Sequence, residues 1–281
     1  MSKELVALLG DREVGRLTRL PGDAGQFSLA GAQPKTALLF DGARWGVPSG
    51  RLPTTHILKP PSGDLDGHPE NEHFCQTLAR RVGLAAAHSR ILRFREETAI
   101  VVERYDRYRA GSSWERVHQE DACQALGVLP QRTYENEGGP GTADLAQLIA
   151  EHSSRSAEDG AAFADALAFS WIIAGTDAHA KNYSLLLAGG GQVRLAPLYD
   201  LASALPYPEL DPQRLKLAMK IGAEYRLRRI GRAESAGAAT RLRRDERGLI
   251  DRVRELAAVA SWLCGRRVCS GSYRTPSGST R

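Results

Sequence analysis

Residues 157–175, "AEDGAAFADALAFSWIIAG", constrain the fold more than any other stretch of the chain. Phe163, Leu167 and Trp171 fall one helical turn apart, and the run becomes apolar all round toward its end. A helix of that kind is enclosed by other parts of the chain rather than laid on a surface. Directly after it comes "GTDAHAKN", residues 175–182, and then the apolar "YSLLL". An acid, an imidazole, a cation and an amide in one turn between two buried elements are costly to desolvate unless they meet ligands, metals or each other. The turn is therefore the first place to look for function.

The 281 residues suffice for one large or two modest domains. Hydrophobic residues make up 42% and charged residues 25%, ordinary proportions for a soluble globular protein. No apolar run approaches the roughly 20 residues of a membrane helix, and "MSKELVALLGDREVG" lacks the apolar core of a signal peptide. A cytoplasmic protein is expected. Cys75, Cys123, Cys264 and Cys269 form no CxxC pair and read as buried thiols rather than as a zinc site or disulfide frame. The net charge of +5 permits contact with phosphates without demanding it. Much of the basic excess lies in "EYRLRRIGRAESAGAATRLRRDERG", where a solvated surface is favoured over a nucleic-acid patch because only Tyr225 interleaves with it.

The first part of the chain reads as strands. "ELVALLG" and "EVGRLTR" pair as a hairpin, and "TALLF" and "RWGV" flank the turn signal Asp41-Gly42. "TTHILK" is a β-branched run stopped by Pro60-Pro61. "ENEHFCQTLARRVGL" has helical spacing with Gly83 as its C-terminal stop, and "SRILRF" and "TAIVVERYD" return to strand. The second part reads as mostly helical: "QEDACQALG" as a short helix, a helix capped by Thr142, the buried helix, and a last amphipathic helix in "RGLIDRVRELAAVASWL". "YSLLL" and "QVRLA" form two strands joined by Gly189-Gly190-Gly191. The expected division is residues 1–25 as a remnant subdomain, 26–110 as a strand-rich lobe, 111–265 as a helical lobe, and 266–281 as a polar, disordered tail.

Asp177 and Asn182 have the D-x-x-x-x-N spacing of a kinase catalytic loop, in which the acid takes the acceptor proton and the amide oxygen holds magnesium. Asp200, in "PLYDLAS", follows two short strands, as a second magnesium ligand does in kinases. Lys59 ends an inner strand and is placed to meet nucleotide phosphates, with Glu72 as its helix partner and Glu70 as the competing candidate. "SLAGAQPKTALL" is a small-residue loop whose backbone N–H groups near Gly31 can approach phosphates closely. Each piece alone is a weak signal. Their order is that of a two-lobed phosphotransferase. A metal hydrolase built on Asp177 and His179 lacks a second ligand pair, since His56, His68, His73, His88, His118 and His152 are scattered. No G-x-S-x-G elbow for triad chemistry is present.

Taken together, "FSLAGAQPKTALL", "PTTHILKPP", "ENEHFC", "VVERYDR", "HQEDACQALG", "YENEGGPG", "WIIAGTDAHAKNYSLLL", "LAPLYDLASALPY" and "KLAMKIG" closely resemble the HipA-type serine/threonine kinases, toxins of bacterial type II toxin–antitoxin modules. The likeness runs over residues 26–225 and fades after Tyr225, where the sequence reads unlike a packed helical lobe. It implies an α+β, two-lobed, protein-kinase-like fold that uses ATP and magnesium. Asp177 would be the base, Asn182 and Asp200 the magnesium ligands, and Lys59 a phosphate contact. Glu103 and Tyr105 would offer backbone contacts to adenine, with Gln119, His179 and Ala32 also at the nucleotide. Ser28 matches a serine that such kinases phosphorylate on themselves, and about −2 charge there should expel its loop from a phosphate site. The implied protein substrate is an aminoacyl-tRNA synthetase. The implied partner is a helix-turn-helix antitoxin of HipB type, through which the kinase reaches DNA. Relative to such kinases the chain looks shortened ahead of the serine loop, so a non-catalytic ATP- or antitoxin-binding protein acting in repression is the alternative.

Overall fold

The computed structural model describes residues 4–9, 12–19, 35–47, 53–61, 65–94, 97–111 and 113–270, with side chains from residue 35 onward except Glu97 and 266–270. The strand-rich lobe contains β1 (Glu4–Leu9), β2 (Arg12–Arg19), β3 (Thr36–Phe40), β4 (Trp45–Val47) and β5 (His56–Lys59). Helix α1 (His68–Arg81) follows, then β6 (Ser89–Phe94) and β7 (Glu97–Glu103). The seven strands form one sheet in the order β1-β2-β4-β3-β5-β7-β6. All pairs are antiparallel except β2 with β4, where Thr18 meets Gly46. The β3–β4 turn forms as its Asp-Gly signal implies: Asp41 Oδ1 accepts from the N–H groups of Ala43 and Arg44, both at 2.8 Å, and Gly42 takes φ 105°.

Alternation on β5 and β7 separates two apolar faces. Leu38, Leu58 and Val101 pack with Trp45, Val47, Leu92 and Phe94 on one side. Ile100 and Val102 pack with Ala87, Ile91, Tyr105 and Tyr199 on the other. Helix α1 ends where Gly83, at φ 91°, takes the left-handed conformation expected of it.

A small hairpin, β8 (Arg107–Ala110) and β9 (Ser113–Arg116), links the lobes. At this junction Asp106, 4% exposed, accepts from Arg104 at 2.8 Å and from Arg107 at 2.6 Å, while Arg107 Nε donates to Thr54 O at 2.9 Å. Then come β10 (His118–Asp121), α2 (Ala122–Ala125), α3 (Thr142–His152) and α4 (Ser156–Ile172). After these follow β11 (Ser184–Ala188), β12 (Gln192–Leu195), β13 (Lys216–Ile221), β14 (Glu224–Arg226), α5 (Arg232–Arg241) and α6 (Glu246–Ser270). Helix α4 is central, as its sequence requires: Phe163 and Phe169 are wholly buried, and Leu167 is 6% exposed. Cys75 and Cys123 are buried thiols in the same core. Among the described residues no helix is long and apolar enough to cross a membrane.

Four expectations need correction. "QEDACQALG" is strand before it is helix, because β10 pairs with β11 and leaves only Ala122–Ala125 helical behind the Asp121 cap. Thr142 does not cap α3; it lies one position inside, and its hydroxyl donates to Lys220 O at 2.6 Å. The capping contact instead runs from the Gly141 N–H to Asp144 Oδ2 at 2.8 Å. "RAESAGAATR" is a packed helix, α5, with Ala238 and Ala239 buried. Its Gly237 is a close-approach residue, since a Cβ there would stand 3.3 Å from the Cα of Gly222. Helix α6 continues to Ser270, past the boundary at residue 265, and packs Leu256 and Ala260 into the core while Arg252 grips Asp165 at 2.8 Å.

Candidate functional site

Lys59 is the last residue of β5, and Pro60 stops the strand there. Its side chain turns inward and is 5% exposed. The ammonium donates to Glu72 Oε1 at 2.8 Å and also to Asp200 Oδ1. Glu72 is 1% exposed, whereas Glu70 faces solvent, which settles the choice between the two glutamates. Packing fixes Glu72 there: α1 lies against β6 and β7, Cys75, Leu78 and Ala79 join the main apolar core, and Glu72 is turned toward Lys59. A buried carboxylate is tolerable only when paired. Burial opposes the Lys59 charge, but Glu72 and Asp200 outweigh it and raise the ammonium above its ordinary range. Burial likewise opposes ionisation of Asp200, yet Lys59, with Lys35 and His179 beyond it, holds the carboxyl below the usual range. The Asp200 side chain remains 37% exposed.

The same helix reaches past Asp200. Asn71 Nδ2 donates to Ser203 O at 2.7 Å and to Tyr207 Oη at 3.0 Å, and its Oδ1 accepts from Ser203 N at 3.0 Å. Adjacent residues of α1 thus hold the lysine of one lobe and the segment that follows the aspartate of the other.

The "GTDAHAKN" turn begins where α4 ends. The Gly175 N–H donates to Ser170 O at 2.7 Å and the Ala174 N–H to Trp171 O at 3.1 Å, with Ala174 at φ 53°. This is a Schellman stop with alanine in the left-handed position. The chain leaves the helix sharply and presents Asp177 to solvent. Asp177 Oδ1 accepts from Tyr134 Oη at 2.5 Å. Asn182, 8% exposed, accepts from the His179 N–H at 3.2 Å through Oδ1.

Tyr199 ties this turn to the Asp200 segment. Its hydroxyl donates to Lys181 O at 2.6 Å and lies 2.5 Å from Ser184 Oγ, which accepts from Gln119 Nε2 at 3.1 Å. The Tyr199 ring stands 6.1 Å from that of Tyr105, and burial pushes both phenols above their ordinary values. Of the residues picked from sequence, Lys59, Asp200, His179, Asn182, Gln119 and Tyr105 thus belong to one connected region, with Asp177 in the same turn. Glu103 is exposed at the end of β7. Ser28, Gly31 and Ala32 lie outside the described residues.

Four residues given no role from sequence belong to the region. Lys35 shares the fields of Asp200, Lys59, Glu72 and Lys181, and burial lowers its ammonium from its ordinary value. Asn71, Tyr134 and Tyr199 are the others. Tyr134 and Tyr199 stand inside the motifs "YENEGGPG" and "PLYDLAS", so the motif text held the signal.

The donor chemistry suits a hard dication bound together with phosphates. Asp200 offers a carboxylate oxygen and Asn182 an amide oxygen. Among the described residues no group of three or more His, Cys, Asp or Glu could hold a metal ion. His179 Nδ1 and His68 Nδ1 are buried without partners, and both residues share an electrostatic field with Asp200. A polar ligand seated there would relieve both.

Residues 27–262 match the family model described as the HipA-like C-terminal domain, so the likeness continues past Tyr225 through α5 and into α6. A Sinorhizobium fredii protein named as a candidate kinase, Y4mE, is 43% identical over 210 residues, 74% of this chain and 49% of that protein. The serine/threonine-protein kinase toxin HipA of Shewanella oneidensis is 31% identical over 215 residues, 71% of this chain and 48% of that one. The chain therefore spans about half the length of these curated relatives. A solved structure of the Shewanella oneidensis HipA with HipB and operator DNA superposes with a TM-score of 0.77 at 25% identity, covering 89% of this chain and 60% of that one. The Helicobacter pylori proinflammatory kinase CtkA shares the fold, with a TM-score of 0.54 at 14% identity over 88% of this chain and 92% of its own. The chain belongs to the HipA-like C-terminal domain family.

Proposed function

We propose that the chain is a serine/threonine protein kinase that transfers the γ-phosphate of ATP to a protein hydroxyl. The observation that carries this reading is the convergence of Lys59, Glu72 and Asp200 across the two lobes. Lys59, held charged and aimed by Glu72, meets the nucleotide phosphates, with Lys35 adding a second cation. Asp200 and Asn182 hold magnesium, which when bound supplies charge neutralisation at the phosphates. Lys59 and Asp200 grip each other directly, so nucleotide entry replaces part of that contact. Tyr105 and Glu103 border the adenine end, and Gln119 and His179 line the site beside them. The Asp177 carboxylate takes the acceptor's proton as the acceptor oxygen bonds the γ-phosphorus and the bond to ADP breaks.

The relatives' names, a kinase toxin and a HipA–HipB–operator DNA complex, support the reading of a toxin paired with an antitoxin of HipB type that links it to DNA. Growth inhibition, a helix-turn-helix antitoxin and the cytoplasm as its setting are part of the same proposal. An aminoacyl-tRNA synthetase is the proposed substrate and Ser28 the proposed site of self-modification. The test is incubation with labelled ATP and magnesium, alone and with a panel of aminoacyl-tRNA synthetases. Label on a synthetase or on Ser28 is expected. Firm binding of ATP with no transfer to either would replace the reading with that of a binding protein.

A further inference from the structure

Tyr134 belongs to a loop built to stay in place. Its carbonyl accepts from the N–H groups of Glu137 at 3.0 Å and Gly139 at 2.9 Å. Glu135 accepts from the Lys220 N–H at 2.7 Å and pairs with its ammonium at 3.8 Å, so the loop is fastened to β13. At Gly139 a Cβ would stand 2.5 Å from Arg132 O and 2.8 Å from both Thr133 C and Tyr134 O, so the loop closes on bare backbone. The Tyr134 ring meets His179 edge-on, centroids 5.0 Å apart. Its hydroxyl donates to Asp177 Oδ1 at 2.5 Å, within the range of a charge-assisted bond.

Asp177 is exposed, and an exposed aspartate turns freely among rotamers unless something holds it. We propose that Tyr134 is a positioning residue that clamps one carboxylate oxygen of Asp177 and so leaves the other aimed at the acceptor hydroxyl. This inference rests on Asp177 being the base of the kinase reading above. Burial, then the bond to Asp177, raises the phenol above its ordinary value, in keeping with a hydroxyl that donates to the carboxylate. The anchored loop cannot follow an acceptor outward, so acceptor chains must enter from the side of the second oxygen. Tyr134 thereby also limits which acceptors fit.

The test uses the whole chain with Tyr134→Phe, which keeps the ring against His179. Three quantities are read: the hydroxyl proton resonance, the affinity for ATP with magnesium, and the phosphotransfer rate at saturating ATP. A downfield hydroxyl resonance is expected in the parent, lost in Tyr134→Phe and moved in Asp177→Asn. ATP affinity and the unfolding midpoint of Tyr134→Phe should match the parent, while the rate falls on the order of ten- to a hundredfold, as for a misaimed reacting group. A rate equal to the parent's overturns the positioning role and leaves the kinase reading intact. Phosphate mapped to Tyr134 itself would make the residue an acceptor and likewise overturn the role. A parent that transfers no phosphate to any acceptor sinks the kinase reading and this role with it, and the parent's own rate tells these failures apart.

Discussion

Lys59 and Asp200 stand 141 residues apart in sequence, and the ammonium of the first donates to the carboxylate of the second. One residue ends a strand of the sheet, and the other follows the β11–β12 hairpin of the helical lobe. Helix α1 makes the meeting possible by supplying Glu72 to the lysine and Asn71 to the segment after the aspartate.

Removing the cation should expose how much Glu72 depends on it. Lys59→Met leaves a carboxylate that is 1% exposed beside a methyl group. Breaking a buried pair from one side costs about 3–5 kcal/mol. Urea denaturation of Lys59→Met should show a loss near the low end of that range, because Glu72 can take up a proton. Adding Glu72→Gln should recover part of it. An unchanged midpoint in Lys59→Met would mean that the pair contributes nothing to stability.

Asn71→Ala removes the three hydrogen bonds that Asn71 makes to Ser203 and Tyr207 and leaves the Ser203 N–H without its acceptor. An unpaired buried group costs about 1–3 kcal/mol. A loss of that size is expected in chemical denaturation, together with faster amide exchange at residues 201–207. Parent-like exchange there would show that the segment is held by other contacts.

The interlobe junction should respond to acid. Burial opposes ionisation of Asp106, but Arg104 and Arg107 outweigh it and hold the carboxyl below its ordinary value. A folded-state value below the unfolded one gives stability that is complete above the ordinary aspartate range and is lost as the pH falls through the folded value. Unfolding midpoints should therefore hold from neutrality to about pH 5 and fall below about pH 4. Asp106→Asn should start lower at neutral pH and decline less steeply in acid, and parallel curves for the two proteins would refute the assignment.

Gly139→Ala carries no chemical group to the site, yet its Cβ must push backbone at Arg132, Thr133 and Tyr134. The expected outcome is a slower phosphotransfer with ATP affinity kept, as for Tyr134→Phe. Parent-like transfer kinetics in this variant would show that the loop yields without moving the tyrosine.

Much of this was legible in the sequence because it is local. The Asp41-Gly42 turn, the Pro60 stop, the apolar α4 and the D-x-x-x-x-N turn each declare themselves within a few residues. Thr142 was misread because threonine at a helix start looks like a cap, whereas here its hydroxyl serves Lys220 and the preceding glycine takes the capping position. Helix α5 was missed because its alanines and Gly237 form a weak apolar stripe; only the facing Gly222 gives that glycine a purpose. The bonds Asn71–Ser203 and Tyr134–Asp177 span 132 and 43 residues, and no sequence period reports a contact made by chain closure.

The central claim is that the lysine of one lobe and the aspartate of the other grip one metal-bound triphosphate. Calorimetric titration of ATP into the parent, Lys59→Met and Asp200→Asn, with and without magnesium, tests it most directly. The account predicts tight binding by the parent that requires magnesium, loss of affinity in Lys59→Met, and loss of the magnesium requirement in Asp200→Asn. Equal ATP affinity in all three proteins, indifferent to magnesium, would contradict it.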